Sequence, residues 1–275
     1  MLNPVGLIIL LITIGMVTII GFIHPYIKKI TNLYWFWLII GIILLMYQLI
    51  FRFFNDFSKV TEALRKHEYF DSIIFSKGFL LDLCPFCSFC ISIALIIDPS
   101  RKIANILSYF GIFGGLITYC GGFLINTNDT TTDAQWNWEW FYKGFYPNPM
   151  YFAIHFIQLF FCPWILLNKK QNFSFDIFGV FLFIILYFSY VIIIINIFHV
   201  YSNATGLVEY DWIEGEYSTV GKIFLLSFPY VCVLSFVLVS IFIISLTLIF
   251  NFIQKKCKKY RNDYTFKSIF LFNFK

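Results

Sequence analysis

Seven long apolar runs joined by short connections constrain this chain more than any other feature: Val5–Ile23, Leu33–Phe51, Gly78–Ile97, Ile103–Ile125, Pro149–Leu167, Phe175–Phe198 and Gly221–Ile253. A bilayer core of about 30 Å is crossed by about 20 apolar residues in helical conformation. With 60% hydrophobic and 13% charged residues, the chain lies outside the range of soluble domains, where about a quarter of residues are charged. The expectation is an all-α fold: a polytopic membrane bundle of seven transmembrane helices over residues 1–254, with a basic tail over 255–275. Val5–Ile23 lacks the basic segment that precedes a signal peptide's apolar core, so it is read as a helix of the mature protein.

The charges flanking the runs set the orientation. Lys28 and Lys29, Arg101 and Lys102, Lys169 and Lys170, and the tail residues Lys255, Lys256, Lys258, Lys259 and Arg261 all fall on one side. By the positive-inside rule that side is cytoplasmic, which makes the chain N-out and C-in, a multi-pass protein of the plasma membrane. The net charge of +5 is thereby accounted for without a nucleic-acid partner. Between the second and third runs, Phe53, Phe57, Val60 and Leu64 recur at three and four residues, the pattern of an amphipathic helix in the interface. Trp136, Trp138 and Trp140 in an outer loop read as an interfacial aromatic belt.

The chemistry is concentrated where the third run begins, Leu80-Leu81-Asp82-Leu83-Cys84-Pro85-Phe86-Cys87. A carboxyl group, two thiols and a proline stand within about two turns, and an ionisable group in a membrane helix marks a functional site unless it reaches interfacial water. Pro85 has no amide to offer the Leu81 carbonyl, so the helix must kink or begin late, leaving an acceptor free beside the thiol. Cys84, Cys87 and Ser88 share a face. His155 stands six residues after Pro149, as Cys84 stands six after Gly78, and both helices run inward, so thiol and imidazole are expected at one depth. Cys120 and His199 come to a similar level. A thiol beside an imidazole is a nucleophile with its base, and Cys84, His155 and Asp82 are the candidate catalytic residues. Cys87, Ser88, Cys120 and His199 are candidate substrate contacts. The plainer alternative is that His155 and the cysteines are packed core residues.

The run Leu80–Cys84, together with Ser92, Leu95, Gly111, Gly114, Gly115 and the Tyr151–Leu166 helix with His155, resembles the YwaF-like integral membrane proteins. The resemblance spans Leu80–Leu167. The family pattern at the cysteine is close to Leu-Pro-Leu-His-Leu-Cys; this chain matches it at Leu81, Leu83 and Cys84 but has Leu80 for Pro and Asp82 for His. Animal relatives are transmembrane acyltransferases that remodel ether phospholipids with a membrane-embedded cysteine and histidine. The resemblance therefore implies Cys84 as nucleophile, His155 as base and a membrane phospholipid as partner, with the lost histidine's role taken by Asp82 or by another imidazole such as His199.

Three activities follow as alternatives. One is a phospholipid acyltransferase or lipid hydrolase acting at the outer leaflet through Cys84 and His155, without cofactor or metal. A second is a membrane thiol oxidoreductase using the Cys84/Cys87 pair. The third is a transporter or substrate-binding membrane subunit with Asp82, His155 and His199 lining a polar cavity. A metal held by Cys84, Cys87, Cys120 and His155 would need three helices to converge on one point. No Gly-rich phosphate loop or metalloprotease motif occurs in the chain.

Overall fold

The computed structural model describes residues 4–52, 58–66, 75, 78–124, 150–168, 173–200, 207–213 and 225–263. Every regular element among them is an α-helix. In chain order these are α1 (Pro4–Thr31), α2 (Tyr34–Arg52), α3 (Ser58–Arg65), α4 (Leu83–Ile97), α5 (Lys102–Leu124), α6 (Met150–Leu167), α7 (Phe173–Phe198), α8 (Glu209–Ile213) and α9 (Tyr230–Asp263). Two of them, over Phe175–Phe198 and Tyr230–Ile249, are both long and apolar enough to cross a membrane; α1, α2, α4, α5 and α6 carry shorter apolar stretches.

Helix α1 runs on to Thr31, past the expected end at Ile23, and three further boundaries differ from the sequence expectation. The third run is not one continuous helix from Gly78: Gly78 is helical, but Phe79–Asp82 is not and α4 begins at Leu83; Leu80 takes a left-handed backbone (φ 57°) and Asp82 an extended one, so Pro85 falls in the first helical turn, where its missing amide breaks no helical bond. The helix of the last run begins at Tyr230; Leu225–Pro229 before it is non-helical, Pro229 immediately precedes it, and the expected start at Gly221 lies outside the described residues. That helix continues to Asp263 and takes in the basic residues expected to begin a tail at 255. Between α2 and the third run the structure places a short helix, α3, with Ala63 buried and Leu64 exposed; Phe53 and Phe57 lie outside the described residues, as do the tryptophans of the outer loop.

Helix α5 is the hub, packing against α6, α4, α1, α7 and α9, while α2 lies on α4. A cluster of Trp37, Leu95, Leu107, Phe110, Phe113, Ile165 and Ile243 fills the space around it. One end of the bundle is tied by polar contacts: Arg101 donates to the Thr31 carbonyl at 2.9 Å and Thr31 Oγ1 to Asn168 Oδ1 at 2.8 Å, joining the turn before α5 to the ends of α1 and α6. Asp98, between α4 and α5, accepts the amides of Ser100 (2.9 Å) and Ile103 (3.0 Å), so it caps the first turn of α5.

Burial raises the proton affinity of the Asp98 carboxyl, yet hydrogen bonds from the Ser100 hydroxyl and from the amides of Ile103, Ser100 and Lys102 outweigh it and hold the group below its ordinary range. Asp98→Ala is expected to remove about 0.5–2 kcal/mol, as cap losses do, and to lower Tm in detergent. Because the folded-state pKa is depressed, that contribution is complete above the ordinary carboxylate range and is lost as pH falls through the lowered value. The Tm gap between variant and parent should accordingly shrink in acid.

Candidate functional site

The first turn of α4 is fixed from outside the helix. Tyr187 on α7 donates its hydroxyl to the Leu81 carbonyl at 2.6 Å, and Tyr190, one turn short on the same helix, bonds the Phe79 carbonyl. The acceptor that Pro85 leaves without a helical donor thus finds a phenol. Phe86 packs against the rings of Phe183, Tyr187 and Tyr190, which holds the same turn from its apolar side. Asp82 occupies the N-cap position but bonds none of the first-turn amides; Pro85, at the third helical position, has none to offer.

Cys84 is the second residue of α4 and half-buried. Its sulfur lies against Gly114 of α5: a methyl group built on Gly114 would meet Cys84 Sγ at 2.6 Å and Gln158 Oε1 at 3.5 Å. One residue on, a methyl on Gly115 would stand 2.6 Å from Leu159 Cγ and 3.4 Å from the His155 carbonyl, and one on Gly111 would stand 2.6 Å from Cys162 Sγ. The three glycines let α4 and α6 close onto α5 together. His155, 6% exposed, sits on the α6 face formed by Gln158, Leu159 and Cys162, which are three, four and seven residues away along the helix. Cys84 Sγ thus lies against Gly114 and the His155 carbonyl against the next residue, Gly115.

Two glutamines complete the polar core. Gln158 Nε2 donates to the Cys84 carbonyl at 2.6 Å and to Ser88 Oγ at 3.1 Å. Gln48 on α2 donates to the Ser88 carbonyl at 3.2 Å and to Ser92 Oγ at 2.8 Å, while Ser92 Oγ donates to the Ser88 carbonyl at 2.9 Å. Both glutamines are wholly buried, and the Oε1 of each has no hydrogen-bond partner.

Of the residues singled out from sequence, the structure brings together Cys84 and Ser88, both bonded by Gln158, and buries His155 one turn earlier on the Gln158 helix. Cys87 is fully buried in the hydrophobic core. Asp82 lies outside the helix, in extended backbone at the N-cap position. His199 follows the end of α7 with a left-handed backbone (φ 51°) and an exposed side chain; its neighbour Phe198 stacks on Phe79, which leaves the imidazole at that end of the bundle but outside the buried network. The side chain of Cys120 lies outside the described residues, and among the described residues no three of His, Cys, Asp and Glu gather as a metal would require. The equal count from Gly78 and Pro149 does not set the depth, because Phe79–Asp82 is not helical; the α6 side chain that reaches the Cys84 carbonyl is Gln158, one turn after His155. Sequence reasoning missed Gln158, Gln48 and Ser92's bonding role. The available signal was a single glutamine in each of two otherwise apolar runs and the four-residue spacing of Ser88 and Ser92.

The family model described as a family of unknown function (DUF5378) matches residues 9–271. The "Uncharacterized protein MG135" of Mycoplasma genitalium is 29% identical over 228 residues, 80% of this chain and 78% of that protein. The "Uncharacterized protein MG135 homolog" of Mycoplasma pneumoniae is 29% identical over 223 residues, 78% of this chain and 76% of that protein. No solved structure matches.

The glycine contacts lead to a paired expectation. Gly115→Ala must displace Leu159, whose Cγ is buried and not the free end of a chain, and is expected to destabilise by about 1–3 kcal/mol, as overpacking does. Gly15→Ala on α1 meets nothing within 4 Å and is expected to be neutral or to stabilise by up to about 1 kcal/mol. Thermal unfolding of the two variants in the same detergent checks both.

Proposed function

We propose that this chain, which belongs to the DUF5378 family of unknown function, is a seven-span membrane protein in which Cys84 and His155 act as nucleophile and base on a lipid acyl group. The membrane part of the reading is supported by where polarity lies. Leu11, Phe22, Ile39, Ile43, Phe178, Ile185 and Ile241 are exposed, whereas Thr13, Gln48, Ser92, Asn105, His155, Gln158, Asp176 and Asn251 are buried. That inverts the distribution of a water-soluble bundle, in which large apolar patches are covered. Lys28 and Lys29 in the last turn of α1 and Arg101 and Lys102 at the start of α5 mark the cytoplasmic side, giving N-out and C-in. Spans beyond α7 and α9 belong to this reading.

The observation that supports the chemical part is that Cys84 Sγ and the backbone carbonyl of the buried His155 lie against adjacent glycines of one helix, with a glutamine one turn from His155 bonded to the Cys84 carbonyl. Cys84 also stands in the first turn of a helix, where unpaired amides favour negative charge. The resemblance to YwaF-like proteins through Leu81, Leu83, Cys84 and His155 assigns the two residues the same roles. In the proposed reaction His155 takes the thiol proton and the sulfur attacks an ester carbonyl of a membrane phospholipid. The C–O bond breaks, the departing lipid oxygen takes the proton from His155, and the acyl group remains on Cys84 as a thioester. A hydroxyl of a second lipid, or water, then attacks that thioester, His155 accepting its proton and returning it to the sulfur.

In protein reconstituted with labelled phospholipid, Cys84→Ala and His155→Ala should each abolish acyl transfer with Tm unchanged within a few degrees; full turnover in either variant would reject the chemistry. For the membrane part, Ile185→Arg should reduce recovery in the carbonate-resistant membrane fraction, since a central arginine costs about 2.5–3.5 kcal/mol on insertion. Equal recovery would count against α7 as a span.

A further inference from the structure

At the end of the bundle away from Cys84, a cation is held in place with no anion to meet it. Arg101, in the turn before α5, has a left-handed backbone (φ 57°), a conformation that favours glycine and is costly for a residue with a Cβ. Its guanidinium is fixed twice: Nη1 donates to the Thr31 carbonyl at 2.9 Å, and Cζ lies 5.8 Å from the centre of the Trp37 ring. Trp37 is itself fully buried and donates its Nε1 to the same carbonyl. A guanidinium carries five N–H groups; among the described residues the bond to Thr31 is the one that Arg101 makes, and it forms no ion pair. The nearby acid, Asp98, acts on Arg101 through its field, but its oxygens are taken by Ser100 and by the amide of Ile103. Lys28 adds a second cation in the last turn of α1, three residues before Thr31 and so on the same side of the helix. Lys102 is different: it is turned to α7, with Nζ 5.6 Å from the centre of the Phe175 ring. Near these groups along the chain, Ile30, Leu33 and Ile97 are exposed.

We propose that Arg101 and Lys28 form a site for the phosphate group of an anionic phospholipid of the inner leaflet, whose acyl chains lie along Ile30, Leu33 and Ile97. The bond through Nη1 leaves the Nε–Nη2 edge of the guanidinium, which matches two phosphate oxygens with parallel bonds. Because Thr31 and Trp37 already hold the side chain, binding costs little further ordering. The charges at the site select the headgroup. Two cations attract an anionic lipid and give the ammonium of a choline headgroup no counter-charge, and basic pockets between membrane helices on the cytoplasmic side take anionic headgroups. The exposed aliphatic side chains select lipid over a soluble phosphate, which has no apolar part to set against them. Arg101 and Thr31 belong to different parts of the fold, so a lipid bound there adds to the tie between α1 and α5. The inference rests on the membrane part of the preceding reading, which places this end of the bundle at the inner leaflet, and not on the chemistry at Cys84.

The experiment is titration of the delipidated full chain in neutral detergent with phosphatidylglycerol, phosphatidylcholine or inorganic phosphate, with bound lipid counted by native mass spectrometry and Tm followed alongside. Phosphatidylglycerol should bind and raise Tm, phosphatidylcholine should bind more weakly, and inorganic phosphate should do neither at the same concentration. Arg101→Gln should weaken phosphatidylglycerol binding about tenfold or more, and Arg101→Lys, which keeps the charge and loses the planar fork, by less. Lys28→Gln should weaken it about fivefold, the effect of one charge near an anionic headgroup, while Lys102→Gln should change it by less than about twofold. Arg101→Gln also breaks the tie to Thr31, so Arg101→Lys and Lys28→Gln carry the test if that variant does not fold. Equal binding of the two lipids, equal losses in Lys28→Gln and Lys102→Gln, or displacement of the lipid by inorganic phosphate would each overturn the proposal. The second outcome would leave net charge alone, and the third a soluble anion. Cys84→Ala should bind phosphatidylglycerol as the parent does. A chain that stays in the carbonate-resistant membrane fraction yet binds no phosphatidylglycerol loses this site and keeps the membrane reading.

Discussion

The hydrogen bond from Tyr187 to the Leu81 carbonyl is the contact on which the geometry of the site depends. Pro85 brings no amide, so α4 starts at Leu83 and the strand of chain before it turns through a left-handed residue, exposing carbonyls that a helix would have used. In apolar surroundings each such group is costly unless a donor reaches it. Two tyrosines of α7 supply the donors at Leu81 and Phe79, and their rings, with Phe183, brace Phe86 in the first turn. Cys84 is thus presented by a helix end whose position is set by a different helix.

The same demand for donors and acceptors organises the other face of α4. Ser88 and Ser92, one turn apart, offer hydroxyls and a carbonyl that Gln48 and Gln158 meet from α2 and α6. These bonds work only at close range, and the glycines of α5 supply the closeness. With Cβ atoms at 111, 114 and 115 the sulfurs of Cys162 and Cys84 and the side chain of Leu159 would all have to move. Packing of small residues and polar contacts between helices are also the two means by which helices associate in lipid, where burial of apolar surface gives no driving force. The bundle's exposed aliphatic surface and buried amides fit that regime.

The far end of the bundle follows another logic. Arg101, Thr31 and Asn168 link three helix ends, and Asp98 caps α5. These are charged or strongly polar groups at the edge of the apolar zone, where water can complete their bonding. Around α4 the bonds between helices are instead made by neutral amides and hydroxyls, which avoid the desolvation penalty of an ion.

The sequence by itself determined that the chain is helical, about where its long helices lie, and that the helix carrying Cys84 is interrupted at Pro85, because apolar run length and a missing amide act locally. It pointed to the Leu81 carbonyl as an acceptor in need of a partner, but Tyr187, 106 residues away, was beyond any local pattern. Only the tertiary structure decided that the late start of α4 changes which α6 residue reaches Cys84, and that Gln158 and Gln48 are part of the site while His199 faces outward and Cys87 is sealed in the core. Periodicity reports which side of a helix a residue is on. Which partner it meets there depends on how closely helices approach and at what offset, and those are set by glycines and side-chain bonds on other segments.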